Sequence, residues 1–309
     1  CSPMYHSVSI RFAAGTLLRG GTCVVLSRFD PGTAAAVLRG VRPGEDAGTD
    51  RAVPVPTTTF MAPAALHRLL ERAGDDAPST LAGLRLLVHA GSPCPAALKR
   101  AALAAAPPGT LWEFYGSTEG QFTVCPPDAW IDRPGTVGRA RTGRSLHVDP
   151  DGTVWCRPPS FANFRYWDDP EKTDRAWRDG AFTVGDLGRL DDDGYLFLEG
   201  RRDDLIISGG VNVYPAEVES ALSEATGVGD VAVFGVPDER WGERVCAAVV
   251  PGPRARPTLA ADVADHARSC LAPYKRPKQV VVVDALPRTA TGKVQRHLLR
   301  VLVDGTAEP

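Results

Sequence analysis

Apolar runs and polar loops alternate regularly through the first half of the chain. "LAGLRLLVHAGSPCP" (81–95) predicts a strand that ends in a Gly-Ser-Pro turn, and "PAALKRAALAAA" (95–106) predicts a helix. "GTLWEFYGSTEG" (109–120) predicts a second strand that runs into a polar, glycine-containing loop. We also expect a buried strand in "GGTCVVLSRFDP" (20–31), because its centre is β-branched and apolar. Strands that alternate with helices in this way predict an α/β fold with a mostly parallel sheet.

The pattern changes near Thr136 and again near Gly210. Short strands separated by Asp-Gly turns predict a small antiparallel β subdomain, and after Gly210 helices and strands of a compact α+β unit follow. "GRRDD" connects the two parts. We therefore predict a large domain over 1–200, a hinge over 201–204 and a small C-terminal α+β domain over 205–309.

Composition supports two soluble domains and excludes some classes of partner. The chain has 309 residues, of which 43% are hydrophobic, and a net charge of −2. This balance argues against nucleic acid as a partner, and no apolar stretch is long enough for a membrane helix. Seven scattered cysteines without C-x-x-C spacing fit a reducing cytoplasm. The apolar start, "CSPMYHSVSIRF", favours a chain cut from a longer polypeptide.

Ligands of parallel sheets bind at loops that follow the carboxyl ends of strands. Here those loops contain Gly91 and Ser92 in "AGSPC", and Gly116 to Glu119 in "YGSTEG". Hydroxyl groups and backbone N–H groups suit phosphate oxygens, a carboxylate such as Glu119 suits Mg²⁺, and Tyr115 could stack on a base. The alternative for each loop is an ordinary polar turn.

Further candidate residues lie in weaker motifs. Asp186 in "TVGD" could accept ribose hydroxyls, or it could simply form a turn. Gly209 and Gly210 would let a backbone approach a ligand closely, and the alternative is a charged linker followed by a hairpin. His6 and His89 lie near the predicted ligand loops. The alternative for each is a structural role, which is more common for a single histidine.

The stretch "LPRTATGK" ends in a Gly-Lys pair at Lys293. It does not match a phosphate-binding P-loop, because no glycine lies five residues before Gly292 and Val294 replaces the required Ser or Thr. Taken alone, the stretch indicates a solvated surface turn before a terminal helix. A catalytic lysine on a positioned loop is the alternative.

Four of these motifs together resemble one family. "YGSTEG", "TVGD", "GRRDDLIISGGVNVYPAEVE" and "PRTATGK" occur in the order found in the adenylate-forming superfamily of acyl-CoA synthetases, adenylation domains and luciferases. "VHAGSPCP", "LWEFYGSTEG" and "GDVAVFGVPDERWGERV" are most similar to the branch that makes CoA thioesters of fatty or other lipophilic acids. The resemblance implies an ATP-dependent acyl-CoA ligase that uses Mg²⁺, releases AMP, and has a mobile C-terminal domain.

The resemblance also implies roles for individual residues. The catalytic set would be Lys293, which bridges the carboxylate and α-phosphate, Thr118, which contacts the adenylate phosphate, and Glu119, the Mg²⁺ ligand. The remaining implied positions are Gly91, Ser92, Tyr115, Gly116 and Ser117 around the nucleotide, Asp186 and Arg201 on the ribose, Gly209 and Gly210 along the pantetheine tunnel, His6 and His89 near the acyl group, and Asp203 as the hinge.

One departure from the family concerns the phosphate loop. A Ser/Thr/Gly-rich loop and a Lys-Gly pair normally precede the "PMYH" region, and these 309 residues do not contain them. Two alternatives to the CoA ligase also stay open. The chain could be an adenylation domain that loads a carrier-protein thiol, or a non-catalytic remnant that binds nucleotide or acyl-CoA.

Overall fold

The computed structural model describes residues 4–41, 54–289 and 293–304. Its contacts divide the chain into two compact units. The first comprises the described residues of Cys1–Asp149, Val154–Val184 and Arg189–Phe197, and the second those of Pro150–Thr153, Gly185–Gly188 and Leu198–Pro309. Each unit has its own sheet and core.

The first unit is built on a five-stranded sheet in the order β1-β2-β3-β4-β5. Its strands are β1 (Thr58–Met61), β2 (Leu86–His89), β3 (Leu111–Gly116), β4 (Gln121–Cys125) and β5 (Arg139–Ala140). The accompanying helices are α1 (Ser7–Leu18), α2 (Pro31–Leu38), α3 (Pro63–Ala73), α4 (Ala77–Leu81), α5 (Ala96–Ala105) and α6 (Pro127–Asp132). Strands β1, β2 and β3 run parallel, while β4 and β5 add antiparallel. The predicted α/β class is confirmed.

Helices α2 to α5 bury their apolar stripes against this sheet. Leu66 and Leu69 of α3 are three residues apart on one helix face, and both are fully buried beside Leu87 of β2 and Leu111 of β3. Spacing of three or four residues places side chains on one side of a helix, which explains why this face is covered. This core fixes the carboxyl ends of β2 and β3, where the candidate ligand loops begin.

One predicted strand is wrong. Residues 21–28 form no helix or strand, and Val25 in their centre is 65% exposed. A β-branched run becomes a strand only where a neighbouring strand pairs with its backbone. The apolar run that follows "PMYH" forms helix α1. Its pattern did not specify a secondary structure.

The predicted antiparallel β structure follows as a four-stranded sheet in the order β6-β7-β9-β8. Its elements are β6 (Ser145–Val148), β7 (Val154–Arg157), α7 (Pro170–Ala176), β8 (Trp177–Arg178) and β9 (Ala181–Phe182). A separate two-stranded sheet then joins β10 (Asp186–Leu190) to β11 (Leu196–Arg201). The sheets therefore match the short strands and Asp-Gly turns seen in the sequence.

The second unit contains a five-stranded sheet with helices on both faces. Its elements are β12 (Ile206–Ser208), β13 (Val211–Val213), α8 (Pro215–Leu222), β14 (Val228–Asp238), β15 (Gly242–Pro251), α9 (Leu259–Cys270), β16 (Gln279–Val282) and α10 (Arg296–Asp304). Val233 faces the core shared with α8 and α9, whereas its neighbour Phe234 faces the core that contains Leu299 of α10. Alternation along β14 thus serves two cores, as expected for a strand covered on both sides.

Candidate functional site

A tight loop at the carboxyl end of β3 carries the first group of predicted residues. The backbone N–H of Ser117 donates to the carbonyl of Gly120 over 2.8 Å, which closes the turn. A Cβ at Gly116 would lie only 2.5 Å from that same carbonyl oxygen, so glycine is required where the two ends of the loop meet. The turn leaves Thr118 exposed and Glu119 half-buried.

The first turn of helix α1 lies against this loop. The Ser7 and Thr118 hydroxyl oxygens are 3.4 Å apart, and Arg11 donates from Nη2 to the Thr118 carbonyl over 3.2 Å. His6 is the residue that immediately precedes α1. The structure therefore places His6 and Thr118, two predicted site residues, at the same end of the first unit.

Tyr166 holds the carboxylate of Glu119. Its hydroxyl donates to Glu119 Oε1 over 2.8 Å, and the Lys172 ammonium lies 4.2 Å from the centre of the Tyr166 ring. Burial raises the pKa of Glu119, but the Ser117 hydroxyl, the Glu119 amide, the Tyr166 hydroxyl and Lys172 together lower it by more. Glu119 is therefore kept ionised in a partly buried position.

A row of aromatic rings connects Tyr115 with Tyr166 beneath the loop. Tyr115 contacts Phe122 with ring centres 4.9 Å apart, and Phe122 contacts Phe182 at 5.0 Å. Phe164 continues the row, 5.1 Å from Phe182 and 5.4 Å from Tyr166. Edge and tilted contacts of this kind favour a fixed arrangement of rings. Tyr115 before the loop and Tyr166 against Glu119 are therefore packed on the same group of rings.

The second predicted loop follows β2, and three ionisable side chains are buried behind it. Gly91 adopts φ +96°, a conformation that glycine readily allows, and Ser92 follows it half-buried. Lys99 of α5 is fully buried and contacts His89 Nε2, and its Nζ lies 3.2 Å from Glu113 Oε2. His89 Nε2 lies 3.6 Å from that same carboxylate oxygen. We call these three residues the buried triad.

Burial controls the ionisation of the buried triad and its neighbours. Burial, and secondly the Lys99 ammonium, holds the pKa of His89 well below its usual range. Burial also raises the pKa of Glu113, while Lys99 opposes that rise. The pKa of the Cys94 thiol is raised to about 12, mainly by burial and then by Glu113. His89 is therefore neutral, and Cys94 is a protonated thiol.

In the second unit, Asp186 and Arg201 form an ion pair. Arg201 Nε donates to Asp186 Oδ1 over 3.0 Å, and Asp186 is only 8% exposed. The two residues come from neighbouring strands, β10 and β11. The structure thus brings this predicted pair together, and its role on a ribose stays a prediction.

Gly209 and Gly210 form the two-residue turn between β12 and β13. Their φ angles are +61° and +78°, which is the combination that a type I′ hairpin requires. A Cβ at Gly209 would also lie 3.1 Å from the Trp241 ring. The hairpin alternative weighed for this motif explains why these positions are glycine, and a tunnel role stays a prediction.

Lys293 lies just before the terminal helix α10, on a stretch fastened by backbone hydrogen bonds. The Thr289 N–H donates to the Lys293 carbonyl over 2.8 Å, and the Lys293 N–H donates to Thr289 Oγ1 over 3.2 Å. Its side chain is exposed and has no ion-pair partner among the residues that the structure describes. Residues 290–292 lie outside the described residues.

The predicted hinge residue Asp203 is exposed between two anchored neighbours. Arg202 donates to Asp151 Oδ2 over 2.8 Å and contacts the Thr153 hydroxyl. Asp204 accepts from Arg296 Nη1 over 3.1 Å. Asp203 itself forms no ion pair with any residue in the described ranges.

Sequence reasoning missed three residues of these sites. Tyr166 was missed because "NFRYWDD" resembles an irregular loop, although an aromatic before a helix start was a usable signal. Lys99 lies in a helix that its alanine content made easy to recognise, and nothing local indicated that the lysine is buried. Its partner Glu113 lies on another strand, so only the tertiary fold reveals the pair.

No group of three or more His, Cys, Asp or Glu side chains among the described residues could hold a metal ion by itself. No helix in the described ranges has both the length and the apolar composition needed to cross a membrane. The six described cysteines are all free thiols.

Comparison with family models gives two matches along the chain. Residues 1–159 match the model of the AMP-binding enzyme family, and residues 217–293 match the model of the AMP-binding enzyme C-terminal domain. The first match alone covers half of the chain and includes the buried triad and the loop of Glu119.

Similar proteins are ligases of several carboxylic acids. An indoleacetate–CoA ligase of Aromatoleum aromaticum is 37% identical over 80% of this chain and 50% of its own length. The long-chain-fatty-acid–CoA ligase FadD13 of Mycobacterium tuberculosis is 33% identical over 96% of this chain and 58% of its own. The ATP-bound structure of MatB from Rhodopseudomonas palustris superposes with a TM-score of 0.82 at 35% identity, over 97% of this chain and 58% of that one. The chain thus spans about half the length of the proteins it matches.

Proposed function

This chain belongs to the AMP-binding enzyme family and is related to AMP-forming acyl-CoA ligases, and from that premise we propose that it activates a lipophilic carboxylic acid with ATP and transfers the acyl group to CoA. The observation that carries the proposal is the loop of Thr118 and Glu119, held at the carboxyl end of β3 with an ionised carboxylate. We assign the activity to the cytoplasm, where ATP and CoA are available.

Glu119 is the residue we assign to Mg²⁺. Magnesium prefers oxygen ligands and is commonly bound by one or two carboxylates together with substrate phosphates. A single, partly buried carboxylate with a lowered pKa fits that mode. The ion would neutralise phosphate charge, while Thr118 and the backbone N–H groups of its loop would orient the α-phosphate.

In the second unit, the Asp186–Arg201 pair suits a ribose. Arg201 orients the buried carboxylate of Asp186 over 3.0 Å, and we assign this carboxylate to the ribose hydroxyl groups. Acidic residues bind ribose in this way in other nucleotide sites. Tyr115 would lie against the adenine, and Gly91 and Ser92 would border the nucleotide.

Lys293 has the properties needed for the first half-reaction. A carboxylate oxygen bonds to the α-phosphorus of ATP and the bond to pyrophosphate breaks, so two anions must meet. Preorganised positive charge lowers such a barrier. Lys293 is exposed, carries no ion pair in the described part of the chain, and lies on a backbone-anchored stretch.

The second half-reaction needs a thiol in place of the lysine. The sulfur of CoA attacks the acyl carbonyl carbon, and AMP leaves with the electron pair of the broken bond. We propose that rotation about Asp203 withdraws Lys293 and brings the Gly209–Gly210 turn to the pantetheine arm. Conformational exchange of this kind commonly separates two steps of one enzyme.

We assign the acid substrate to a class of compounds and not to one compound. Indoleacetate and long-chain fatty acids, which are named in two relatives, are both largely apolar, and this supports a lipophilic substrate. Other relatives name 2-succinylbenzoate, an aryl acid with a second carboxylate. His6 beside the Thr118 loop and His89 at the end of β2 are the residues we assign to the acyl group.

Pyrophosphate exchange tests the proposed function. We expect the chain to incorporate labelled pyrophosphate into ATP in the presence of an aryl or fatty acid and Mg²⁺. Lys293→Ala should reduce that exchange by about 10²–10³-fold, the usual cost of removing one preorganised charge. The same variant should convert synthetic acyl adenylate to the thioester at an unchanged rate.

Arg256→Ala is the matched control, because it removes one exposed positive charge from the same unit. Equal loss of both half-reactions in Lys293→Ala would contradict the role of this lysine. Absence of exchange with every acid tested would contradict the ligase and favour a non-catalytic nucleotide-binding chain. Transfer to a carrier protein, with no transfer to free CoA, would favour an adenylation domain.

A further inference from the structure

The buried triad consists of three ionisable side chains, a type of side chain that proteins rarely bury. Lys99 and His89 are fully buried, and Glu113 is 7% exposed. The three side chains come from α5, β2 and β3, and Glu113 and Lys99 also interact electrostatically with the thiols of Cys94 and Cys125. A buried lysine is stable only beside a balancing charge, and Glu113 Oε2 provides it at 3.2 Å.

The contacts of Lys99 decide which nitrogen of His89 carries the hydrogen. An ammonium group has three donors and no acceptor, so Nε2 must accept from Lys99 Nζ. His89 is neutral, because burial and Lys99 hold its pKa well below the usual range. A neutral imidazole whose Nε2 accepts must carry its hydrogen on Nδ1.

That Nδ1–H has no hydrogen-bond partner among the described residues, although it is fully buried. Buried donors in native proteins are almost always paired, and one that is not indicates a ligand or a water. His89 is the last residue of β2, at the carboxyl edge of a parallel sheet, where ligands of such sheets bind.

We propose that Lys99 and Glu113 are positioning residues that hold His89 as its Nδ1–H tautomer, and that this N–H donates to an acceptor oxygen in the side group of the acid substrate. The inference rests on the proposed ligase function and narrows its substrate class. The substrate is an otherwise apolar acid that carries a carbonyl, hydroxyl or ether oxygen beyond its carboxylate.

The Lys99–Glu113 pair explains why this donor is stable. A lone buried histidine could exchange between two neutral tautomers, and one beside a carboxylate alone would tend to become charged. The ammonium between His89 and Glu113 prevents both, since it occupies Nε2 and neutralises the carboxylate. The His89 Nδ1–H would then favour a substrate with an oxygen acceptor over one with a methylene group at the same position.

Tautomer state is tested by long-range ¹H–¹⁵N correlation spectra of the intact chain. The chain has six histidines, and the His89 signals are those that disappear in His89→Asn. We expect a neutral Nδ1–H pattern that persists from pH 8 to below pH 6. An Nε2–H pattern or an imidazolium would overturn the proposal.

The positioning role is tested with the double variant Lys99→Met/Glu113→Gln, which keeps the site uncharged and similar in volume. It should retain its fold by circular dichroism while His89 loses the fixed Nδ1–H pattern. An unchanged pattern in a folded double variant would show that Lys99 does not set the tautomer.

Substrate class is tested with a matched pair of acids, 4-oxo-4-phenylbutanoate and 4-phenylbutanoate. Calorimetry should give about tenfold tighter binding for the oxo acid, the upper range for one hydrogen bond to a buried donor. His89→Asn, which keeps an N–H near the Nδ1 position, should retain most of this preference, and His89→Phe should abolish it.

The outcomes separate this inference from the proposed function. Pyrophosphate exchange with equal binding of the two acids would overturn the role of His89 and leave the ligase intact. Binding of neither acid would overturn the assignment of His89 to the acid site. The tautomer measurement is readable in either case, because it needs no substrate.

Discussion

At the scale of single residues, His89 makes stability depend on pH. Its folded pKa lies well below the value of about 6.5 expected in an unfolded chain. As the pH falls below about 6.5, the unfolded state gains a proton at this position that the folded state does not. The contribution of neutral His89 to the free energy of unfolding is therefore complete above that pH. It is lost as the pH falls toward the folded pKa.

We expect the free energy of unfolding to fall by up to about 1.4 kcal/mol per pH unit through this residue between pH 6.5 and pH 5. Urea unfolding of the wild type and His89→Asn at several pH values isolates the contribution, because all other groups are shared. Parallel pH profiles for the two proteins would contradict the buried neutral histidine.

Tyr166 offers a second test at this scale. Its hydroxyl is one of the groups that lower the pKa of Glu119 against the opposing effect of burial. Tyr166→Phe should raise the Glu119 pKa, so that the carboxylate is lost at a higher pH and Mg²⁺ binding weakens from that pH downward. Carboxyl ¹³C titration measures the shift, and Glu119→Gln identifies the signal.

Tyr195→Phe is the matched control for Tyr166→Phe. Tyr195 lies in the same unit, with Arg133 4.3 Å from the centre of its ring, and it has no described contact with Glu119. An equal pKa change in both variants would show that the effect is not transmitted through the Tyr166 hydroxyl.

At the scale of elements, two arginines fasten the predicted hinge with unequal strength. Arg202 and Asp151 are about half exposed, with side-chain values of 50% and 57%. Arg296 is 22% exposed and reaches Asp204, Glu219 Oε1 at 2.7 Å and the Val233 carbonyl at 2.9 Å. Partly buried, multiply bonded arginines contribute more than exposed ion pairs.

We expect Arg296→Ala to destabilise the second unit by about 1.5–3 kcal/mol, the range for hydrogen bonds to charged groups. Arg202→Ala should cost about 0.2–1 kcal/mol, as exposed pairs do. Amide hydrogen exchange of residues 204–219 measures both, with Arg256→Ala as the control. Equal effects of the two substitutions would contradict this ranking of the anchors.

Sequence patterns predicted elements well wherever local signals agreed. The strand before "AGSPC", helix α5 and the strand before "YGSTEG" follow from apolar runs that end at glycine turns. The run around Val24 and Val25 carried the same β-branched signal but has no strand partner in the described residues. A strand depends on its neighbour, and a single sequence does not show which run will have one.

Side-chain partnerships were much harder to predict. The pair of Asp186 and Arg201 was expected only from motif resemblance, and the structure brings it together. Lys99 resembled a solvated helix residue, since lysine is almost never buried without a partner. Its partners lie 10 and 14 residues away, on strands whose register only folding establishes.

At the scale of the whole molecule, the compact units do not follow one linear boundary. The second unit includes Pro150–Thr153 and Gly185–Gly188 besides the residues from Leu198 onward. Asp151 and Thr153 join it through Arg202, and Asp186 joins it through Arg201. The two stretches also pair with each other through the backbone bridge between Thr153 and Leu187, so the second unit contains short segments distant in sequence from the rest of it.

The long hairpin of β14 and β15 has a kinetic consequence. Its strands pair from Val228 with Pro251 to Asp238 with Gly242, so most of its contacts join residues close in sequence. The parallel pairs of the first unit instead join strands separated by a helix, and closing such long loops is slow. During refolding, pulse-labelled exchange should protect the amides of β14 and β15 before those of β2, which gives the refolding chain its first lasting order in the second unit.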